Sequence, residues 1–309
     1  MNYAIVFPGQ GSQSLGMLAQ LADSFPIVKT TFTEASDALG FDLWTLVQED
    51  QESLNQTQNT QPAMLAAGYA TYLALTSTTN LSPVCMAGHS LGEYTALVAS
   101  GALNFSDGIK LVRTRAQLMQ SAVPAGVGAM AAILGLDDET VVKVCSDYAG
   151  AGIVQAVNFN SNGQVVIAGN KAAVEVTCAA MKVAGAKRAV LLPVSVPSHC
   201  SLMDDAALKF KIAVDALDFK MGHVDVLHNV DSAKAVDTDD IKAKLVAQLH
   251  QPVLWTATVQ AMSDMGVEKL VESGPGKVLT GLTRRINKSL SANAAIDSIS
   301  IASILKEIE

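Results

Sequence analysis

The segment best suited to chemistry is the pentapeptide Gly88-His89-Ser90-Leu91-Gly92, which separates a predicted buried strand from a predicted helix. A Gly-x-Ser-x-Gly sequence in that setting is typical of a nucleophile elbow, a tight turn that exposes the serine hydroxyl at the end of a sheet. The amino end of the following helix favours negative charge developing beside it. We therefore predict that Ser90 is a nucleophile, with an ordinary glycine-rich loop as the alternative.

A serine nucleophile needs a base, and the chain holds five histidines. His199 leads among them because it follows a predicted strand exit and precedes a helix, where α/β enzymes place functional side chains. The other four histidines stay open as alternatives. His89 adjoins Ser90 and should point away from it. The remaining three lie near strand ends and loops, and they are His223, His228 and His250. Between Ser90 and His199 no acid stands at the end of a main-sheet strand, so we expect a dyad oriented by a backbone carbonyl instead of a triad.

Two glycine-rich segments resemble nucleotide-binding motifs but fail in detail. The segment Gly9-Gln10-Gly11-Ser12-Gln13 continues with Ser14 where a dinucleotide fingerprint needs its third glycine. We interpret it instead as the source of the Gln10 backbone N–H, which would join that of Leu91 in an oxyanion hole. The run Ser273-Gly274-Pro275-Gly276-Lys277 lacks the phosphate-loop pattern and predicts a turn between a strand and a helix.

The elements that must position these residues alternate between strand and helix. The order predicts a parallel sheet with ligand chemistry at its carboxyl end. Up to residue 122 we predict strands at 3–7 and 83–87, and helices within 17–39 and at 63–75, 93–100 and 106–122. Pro62 is predicted to lie in the first turn of the helix at 63–75.

After the glycine-rich run 124–128 the predicted order changes to β-α-β-β-α-β, which is the ferredoxin-like arrangement. We therefore predict an α/β fold with a parallel-sheet large domain, residues 1–126 and 196–309, and an inserted ferredoxin-like small domain, residues 127–195. The final strand of the small domain is predicted at 188–194. The last twenty residues of the chain are predicted to be a helical tail.

Composition excludes several classes of protein. Of the 309 residues half are apolar, the net charge is −8, and no basic run is long enough for a nucleic-acid interface. No apolar stretch reaches the roughly 18 residues of a membrane helix, and no basic segment of a signal peptide precedes the first strand. The four cysteines are far apart, which is typical of reduced thiols and predicts a cytoplasmic protein.

Five segments together resemble one family. In this order along almost the whole chain, they are similar to segments of the malonyl-CoA:acyl carrier protein transacylases of bacterial fatty-acid synthesis. That family has a hydrolase-like α/β domain with a ferredoxin-like insert, as the order of elements predicts. The segments are Phe7-Pro8-Gly9-Gln10-Gly11-Ser12-Gln13, Gly88-His89-Ser90-Leu91-Gly92-Glu93-Tyr94, Val196-Pro197-Ser198-His199, Gln248-Leu249 with Pro252-Val253-x-Trp255, and Glu272-x-Gly274-Pro275-Gly276.

The resemblance implies a role for each matching position. Arg115 would pair with the malonyl carboxylate, because a planar guanidinium grips a carboxylate with two parallel hydrogen bonds; Arg113, two residues away, should lie at the surface. The other implied roles are acylation at Ser90, base and acid at His199, orientation of the imidazole by the Gln248 carbonyl, an oxyanion hole at the Gln10 and Leu91 amides, and a pocket lined by Gln61, Met119 and Asn160.

The implied reaction moves malonyl from malonyl-CoA to Ser90 and then to the phosphopantetheine thiol of acyl carrier protein, without a metal or bound cofactor. We expect a monomer that binds the acidic carrier protein transiently, with Lys187-Arg188, Lys277 and Arg284-Arg285 as candidate contacts. Two other functions remain in view. A serine hydrolase would share the elbow but should have a triad acid, and a non-catalytic nucleotide- or carrier-binding protein would use Ser90 structurally.

Overall fold

A five-stranded sheet forms the centre of the computed structural model, which describes residues 1–77, 79–124, 126–194 and 196–308. Its strand order is β7-β2-β1-β8-β9, and every neighbouring pair is parallel. Strands are numbered along the chain: β1 (Tyr3–Phe7), β2 (Cys85–Gly88), β3 (Gly128–Leu134), β4 (Val154–Ser161), β5 (Gln164–Asn170), β6 (Arg188–Leu191), β7 (Val226–Leu227), β8 (Lys269–Ser273) and β9 (Ser291–Ala295).

Helices pack on both faces of this sheet, so β1, β2 and β8 are buried along their whole length. The helices are α1 (Ala19–Ser24), α2 (Ile27–Leu39), α3 (Leu43–Glu49), α4 (Gln51–Leu54), α5 (Thr57–Thr76), α6 (Leu91–Ala99), α7 (Phe105–Ala122), α8 (Asp138–Ser146), α9 (Lys171–Val183), α10 (Asp204–Asp215), α11 (Thr238–Ala247), α12 (Trp255–Asp264), α13 (Val278–Ile286) and α14 (Ser298–Ile308).

A second, four-stranded sheet has the order β4-β5-β3-β6 and is antiparallel throughout. With α8 and α9 packed against it, this is the ferredoxin-like arrangement, and the predicted fold class is confirmed. Its strands all lie within the range 127–195. The limits of the two domains stay a prediction, and two of their end points, Ser195 and Glu309, lie outside the described residues.

The two sheets are joined beside the site. The Val253 N–H donates to the Val157 carbonyl of β4 at 2.8 Å, and the Phe159 N–H donates to the Val253 carbonyl at 3.0 Å. The Thr256 hydroxyl adds a bond to the Phe159 carbonyl at 3.0 Å. These bonds fix β4 to Val253 and to the first turn of α12.

The structure corrects two predicted helices. Pro62 lies inside α5, which begins five residues earlier, because the side chains of Asn59 and Thr60 bond the Ser53 and Leu54 carbonyls and stabilise the first turn. The last twenty residues are not simply a helical tail, since Ser291–Ala295 pairs with β8 as an edge strand before α14 begins. The strand predicted at 188–194 ends at Leu191, and α3 and α4 were not predicted.

Candidate active site

Ser90 occupies a strained turn between β2 and α6, with φ 51° and ψ −108°. A non-glycine residue at positive φ is uncommon and costs conformational energy. The flanking glycines make the turn sterically accessible: a Cβ at Gly88 would overlap the Gly92 carbonyl group, and a Cβ at Gly92 would overlap the Phe7 carbonyl oxygen. Packing therefore requires both glycines of the pentapeptide, and the turn directs Ser90 to the carboxyl end of the sheet.

Ser90 and His199 form a hydrogen-bonded pair, with 2.8 Å between the serine Oγ and the imidazole Nε2. His199 Nδ1 lies 2.6 Å from the Gln248 backbone carbonyl. Because a carbonyl only accepts, Nδ1 carries the proton of the neutral imidazole, and Nε2 accepts from the serine hydroxyl. The geometry is that of a nucleophile with its base, and a backbone carbonyl occupies the place of a triad acid.

His199 is held in the neutral form by its surroundings. Burial, and after it the positive charge of Arg115, lower its pKa to about 3. His199 itself has φ 65°, so both members of the pair lie in a backbone region that L-residues seldom adopt. Clustering of such strain is a feature of functional sites.

Arg115 extends from α7 into the same site, and its guanidinium is buried. It donates to Gln61 Oε1 at 2.9 Å, to Gln248 Oε1 at 3.0 Å and to Ser90 Oγ at 3.3 Å. Its Cζ lies 5.3 Å from the centre of the Tyr94 ring. All three acceptors are neutral, and the guanidinium forms no ion pair with a carboxylate of the described residues. A buried cation without an anionic partner has high affinity for an anionic ligand.

A cavity of about 430 Å³ opens above Ser90. Seven of the predicted residues line it, and they are Gln10, Gln61, Ser90, Leu91, Arg115, Met119 and His199. Leu91 is the first residue of α6, so its N–H has no intrahelical acceptor. Met130 and Asn158 of the small sheet also line the cavity, together with Leu192, which follows β6.

Two residues, Asn160 and Arg113, do not lie where the sequence predicts them. Asn160 is not among the cavity-lining residues, and its Oδ1 instead accepts a hydrogen bond from His89 Nε2 at 2.7 Å. Arg113 is half-buried, with its Cζ 4.9 Å from the centre of the Phe41 ring, so it is not a free surface residue. Both differences arise from tertiary packing, which the neighbouring residues in the sequence do not predict.

Two buried polar residues behind Ser90 were not predicted at all. Glu93 and Asn229 are fully buried and lie 136 residues apart, and both bond the Gln248 side chain. A sequence signal did exist for Glu93, because α6 is otherwise built of small, apolar and weakly polar residues. An acid is seldom fully buried without partners. Asn229 carried no such signal.

Comparison with known proteins places the chain in a class of enzymes. Residues 4–306 match the acyl transferase domain family, so the chain belongs to that family of acyltransferases. Within it, the chain belongs to the malonyl CoA-acyl carrier protein transacylases. The transacylase of that name from Escherichia coli is 53% identical over 306 residues, which cover 99% of both chains.

Solved structures agree with this assignment. An acyl carrier protein S-malonyltransferase from Vibrio cholerae is 54% identical, with a TM-score of 0.96 over 98% of this chain and 100% of that one. A malonyl-transacylase solved in complex with its type II polyketide acyl-carrier protein is 51% identical, with a TM-score of 0.98 over 99% of this chain and 100% of that one.

Proposed function

We propose that this protein is a malonyl-CoA:acyl carrier protein malonyltransferase that supplies malonyl groups to fatty-acid biosynthesis through a malonyl-Ser90 intermediate. The observation that supports this proposal is that three reactive groups meet in one cavity. The serine hydroxyl lies within hydrogen-bond distance of both a neutral imidazole and a buried guanidinium that has no anionic partner among the described residues. The first two provide acyl transfer, and the third provides recognition of a carboxylate.

In the first half-reaction the Ser90 oxygen attacks the thioester carbonyl of malonyl-CoA while His199 Nε2 takes the hydroxyl proton. The carbonyl oxygen becomes an oxyanion, which the Gln10 and Leu91 N–H groups stabilise. Collapse of this intermediate breaks the carbon–sulfur bond. His199 returns its proton to the sulfur, and coenzyme A leaves as the thiol.

In the second half-reaction the phosphopantetheine thiol of the carrier protein enters from the same side. His199 removes the thiol proton, and the sulfur attacks the ester carbonyl of malonyl-Ser90. The carbon–oxygen bond breaks, and the proton passes from His199 to Ser90. The free hydroxyl is regenerated without any change in oxidation state. Because Ser90, His199 and the two oxyanion N–H groups carry every step, the proposal assigns no role to a metal or a bound cofactor.

Arg115 supplies the selectivity for malonyl in this proposal. A guanidinium has five N–H donors. Three of them bond Gln61, Gln248 and Ser90, and the Nε has no partner among the described residues. A terminal carboxylate beside Ser90 would complete the set and neutralise the buried charge. Gln61 and Met119 flank this position, with a Gln61 Nε2 to Met119 Sδ distance of 4.0 Å.

The carrier protein would dock at the basic end of the small sheet. Lys187 packs against Gly135, whose N–H bonds the Gly163 carbonyl, and neighbouring Asn162 donates to the Arg285 carbonyl. Lys187-Arg188 and Arg284-Arg285 therefore lie near one turn, a surface suited to an acidic partner. From Arg188, β6 runs toward Leu192 at the cavity, about 13 Å away at ~3.3 Å per residue. A long phosphopantetheine arm can follow that strand to Ser90.

We also propose a cytoplasmic, monomeric protein. Its four cysteines are buried and unpaired, which suits a reducing compartment. No helix in the described part of the chain is both long and apolar enough to cross a bilayer.

The decisive experiment is the intact mass of the protein after incubation with malonyl-CoA. We expect one added malonyl group, mapped to Ser90 by peptide analysis, and transfer of that group to carrier protein but not to water. Ser90→Ala should give no adduct. Rapid release of free malonate would identify a hydrolase, and absence of any adduct on the intact protein would refute the proposal.

A further inference from the structure

The backbone of Ser90 is bonded on both sides by two buried side-chain amides. The Ser90 N–H donates to Asn229 Oδ1 at 2.7 Å, and the Ser90 carbonyl accepts from Gln248 Nε2 at 2.9 Å. Asn229 also donates through Nδ2 to the Gly88 carbonyl at 2.7 Å. Asn229 thus holds the residues before and at the turn, although it follows β7 on the neighbouring strand.

One carboxylate bonds both of these residues, the backbone of Asn229 and the side chain of Gln248. Glu93 Oε2 accepts from the Asn229 backbone N–H at 2.9 Å and from Gln248 Nε2 at 2.8 Å. Its other oxygen lies 2.7 Å from His228 Nδ1. Glu93, Asn229 and Gln248 are all fully buried. A carboxylate with this many donors is well satisfied, whereas loss of any one bond would leave a buried polar group unpaired.

This arrangement allows only one orientation of the Gln248 amide. Glu93 accepts on one side of it, and the Arg115 guanidinium can only donate on the other. A flipped amide would place its NH₂ against Arg115 and its oxygen against Glu93. Glu93 therefore fixes the acceptor that Arg115 uses, while its bond to Gln248 also fixes the donor that holds the Ser90 carbonyl.

We propose that Asn229 and Glu93 are positioning residues of the acyl-transfer site, which hold the strained Ser90 turn and the Gln248 amide in reactive geometry. Neither touches the reacting atoms. The strain at Ser90 persists because these bonds over-determine the turn. Displacement of a nucleophile by about 1 Å costs about 10²-fold in rate. This inference rests on the proposed function only for the identity of the acyl group that Ser90 carries.

The test uses a reagent that does not depend on malonyl recognition. Phenylmethanesulfonyl fluoride sulfonylates an activated serine: the oxygen–sulfur bond forms, fluoride leaves, and the base takes the proton. The second-order rate constant is measured for the intact protein, Asn229→Ala and Glu93→Gln, with intact mass confirming one sulfonyl group on Ser90. We expect a fall of about 10²-fold in each variant. Partial unfolding lowers the amount of reactive protein but not this rate constant, so a merely structural role would leave it unchanged.

Glu272→Gln is the matched control. Glu272 is also a fully buried glutamate, but its oxygens accept the Leu279 and Thr280 N–H groups at the start of α13, and it bonds neither Ser90 nor Gln248. Its replacement should lower the melting temperature and leave the sulfonylation rate constant within about twofold. Wild-type rate constants in folded Asn229→Ala and Glu93→Gln proteins would overturn the proposal.

A second measurement separates the two residues. With malonyl-CoA and acetyl-CoA as donors, Asn229→Ala should lower kcat equally for both at unchanged KM. Glu93→Gln should also reduce the malonyl to acetyl ratio, because Gln248 no longer presents a fixed acceptor to Arg115. If one variant fails to fold, the other decides. Failure of malonyl transfer in the intact protein would refute the proposed function, but the sulfonylation result would still stand.

Discussion

Arg115 and Ser90 are in direct contact, with 3.3 Å between a guanidinium nitrogen and the hydroxyl oxygen. The same hydroxyl lies 2.8 Å from His199 Nε2. The cation that we propose to bind the carboxylate of the substrate therefore also touches the atom that attacks its thioester. Recognition and chemistry are coupled in this site, because a carboxylate at Arg115 neutralises a charge that opposes formation of the imidazolium.

Arg115→Ala should lower kcat/KM for malonyl-CoA by about two to four powers of ten and leave acetyl transfer unchanged or improved. A charge-assisted hydrogen bond contributes about 1.5–3 kcal/mol, and an unsatisfied buried partner costs a similar amount. Steady-state kinetics with the two donors measure the ratio.

The control for this prediction is Arg113→Ala, which removes the packing over Phe41. It should reduce thermal stability but preserve the malonyl to acetyl ratio. An equal loss on both donors in Arg115→Ala would mean that the residue only supports the fold.

His199→Ala should reduce the rate of Ser90 acylation by about 10²–10⁴-fold while the protein remains folded, since a positioned base contributes that much. Stopped-flow release of coenzyme A measures the step. His250→Ala is the comparison, because His250 is partly exposed and bonds Asp204 at 2.6 Å. A larger loss at His250 would move the base away from His199.

The pH dependence follows from the low pKa of His199, which burial and then the Arg115 charge hold at about 3. Protonation removes the base, so kcat/KM should stay level as the pH falls from about 8 to about 5 and decline only toward the folded pKa. In Arg115→Ala the decline should begin at higher pH. An acid limb near 6.5 in the intact protein, the ordinary value for histidine, would contradict this.

The low pKa of His199 also makes the stability of the fold depend on pH. The folded pKa lies below the unfolded one, so the unfolded chain binds the proton first, and stability is lost as the pH falls from 6.5 toward about 3. One proton accounts for at most about 1.4 kcal/mol per pH unit. Burial lowers the pKa of His89 as well, so His199→Asn should remove only part of the slope in denaturant titrations at several pH values.

Gly88→Ala should prevent folding or cost several kcal/mol, because the added Cβ overlaps the Gly92 carbonyl group. Gly281→Ala offers a contrast within α13, where the added methyl meets no atom within 4 Å. It should stabilise the protein by about 0.5–1 kcal/mol. Urea unfolding measures both changes, and a mild effect at Gly88 would show that the turn can relax.

The fold could be predicted wherever local pattern and tertiary environment agree. The apolar run ending at Gly88 and the acidic start of α8 both formed the expected elements. Ser291–Ala295 could not be predicted as a strand, because its serine, asparagine and alanines have weak strand propensity. Pairing with β8 determines its conformation, and that strand lies about twenty residues earlier.

The site residues also divide into those that the local sequence predicts and those that it does not. Ser90 was predictable from the steric demands of its own turn. His199 was predicted from a strand exit, although β6 ends at Leu191 and His199 lies in the connection that follows it. Arg115 was recognisable only through family resemblance, because α7 alone gives no sign that its guanidinium is buried. Asn229 was not recognisable at all, since its side chain and N–H bond residues that are distant in sequence, namely Gly88, Ser90, Glu93 and Gln248.

The strand order β7-β2-β1-β8-β9 also constrains how the chain folds. β1 spans residues 3–7, yet its neighbour β8 spans residues 269–273, and Lys269 within β8 is buried with its carboxylate partner on Glu307 in α14. Contacts this distant in sequence form late and slowly. The edge of β1 that β8 covers therefore stays open until the two distant segments meet, and an open strand edge is a site for non-native pairing during folding.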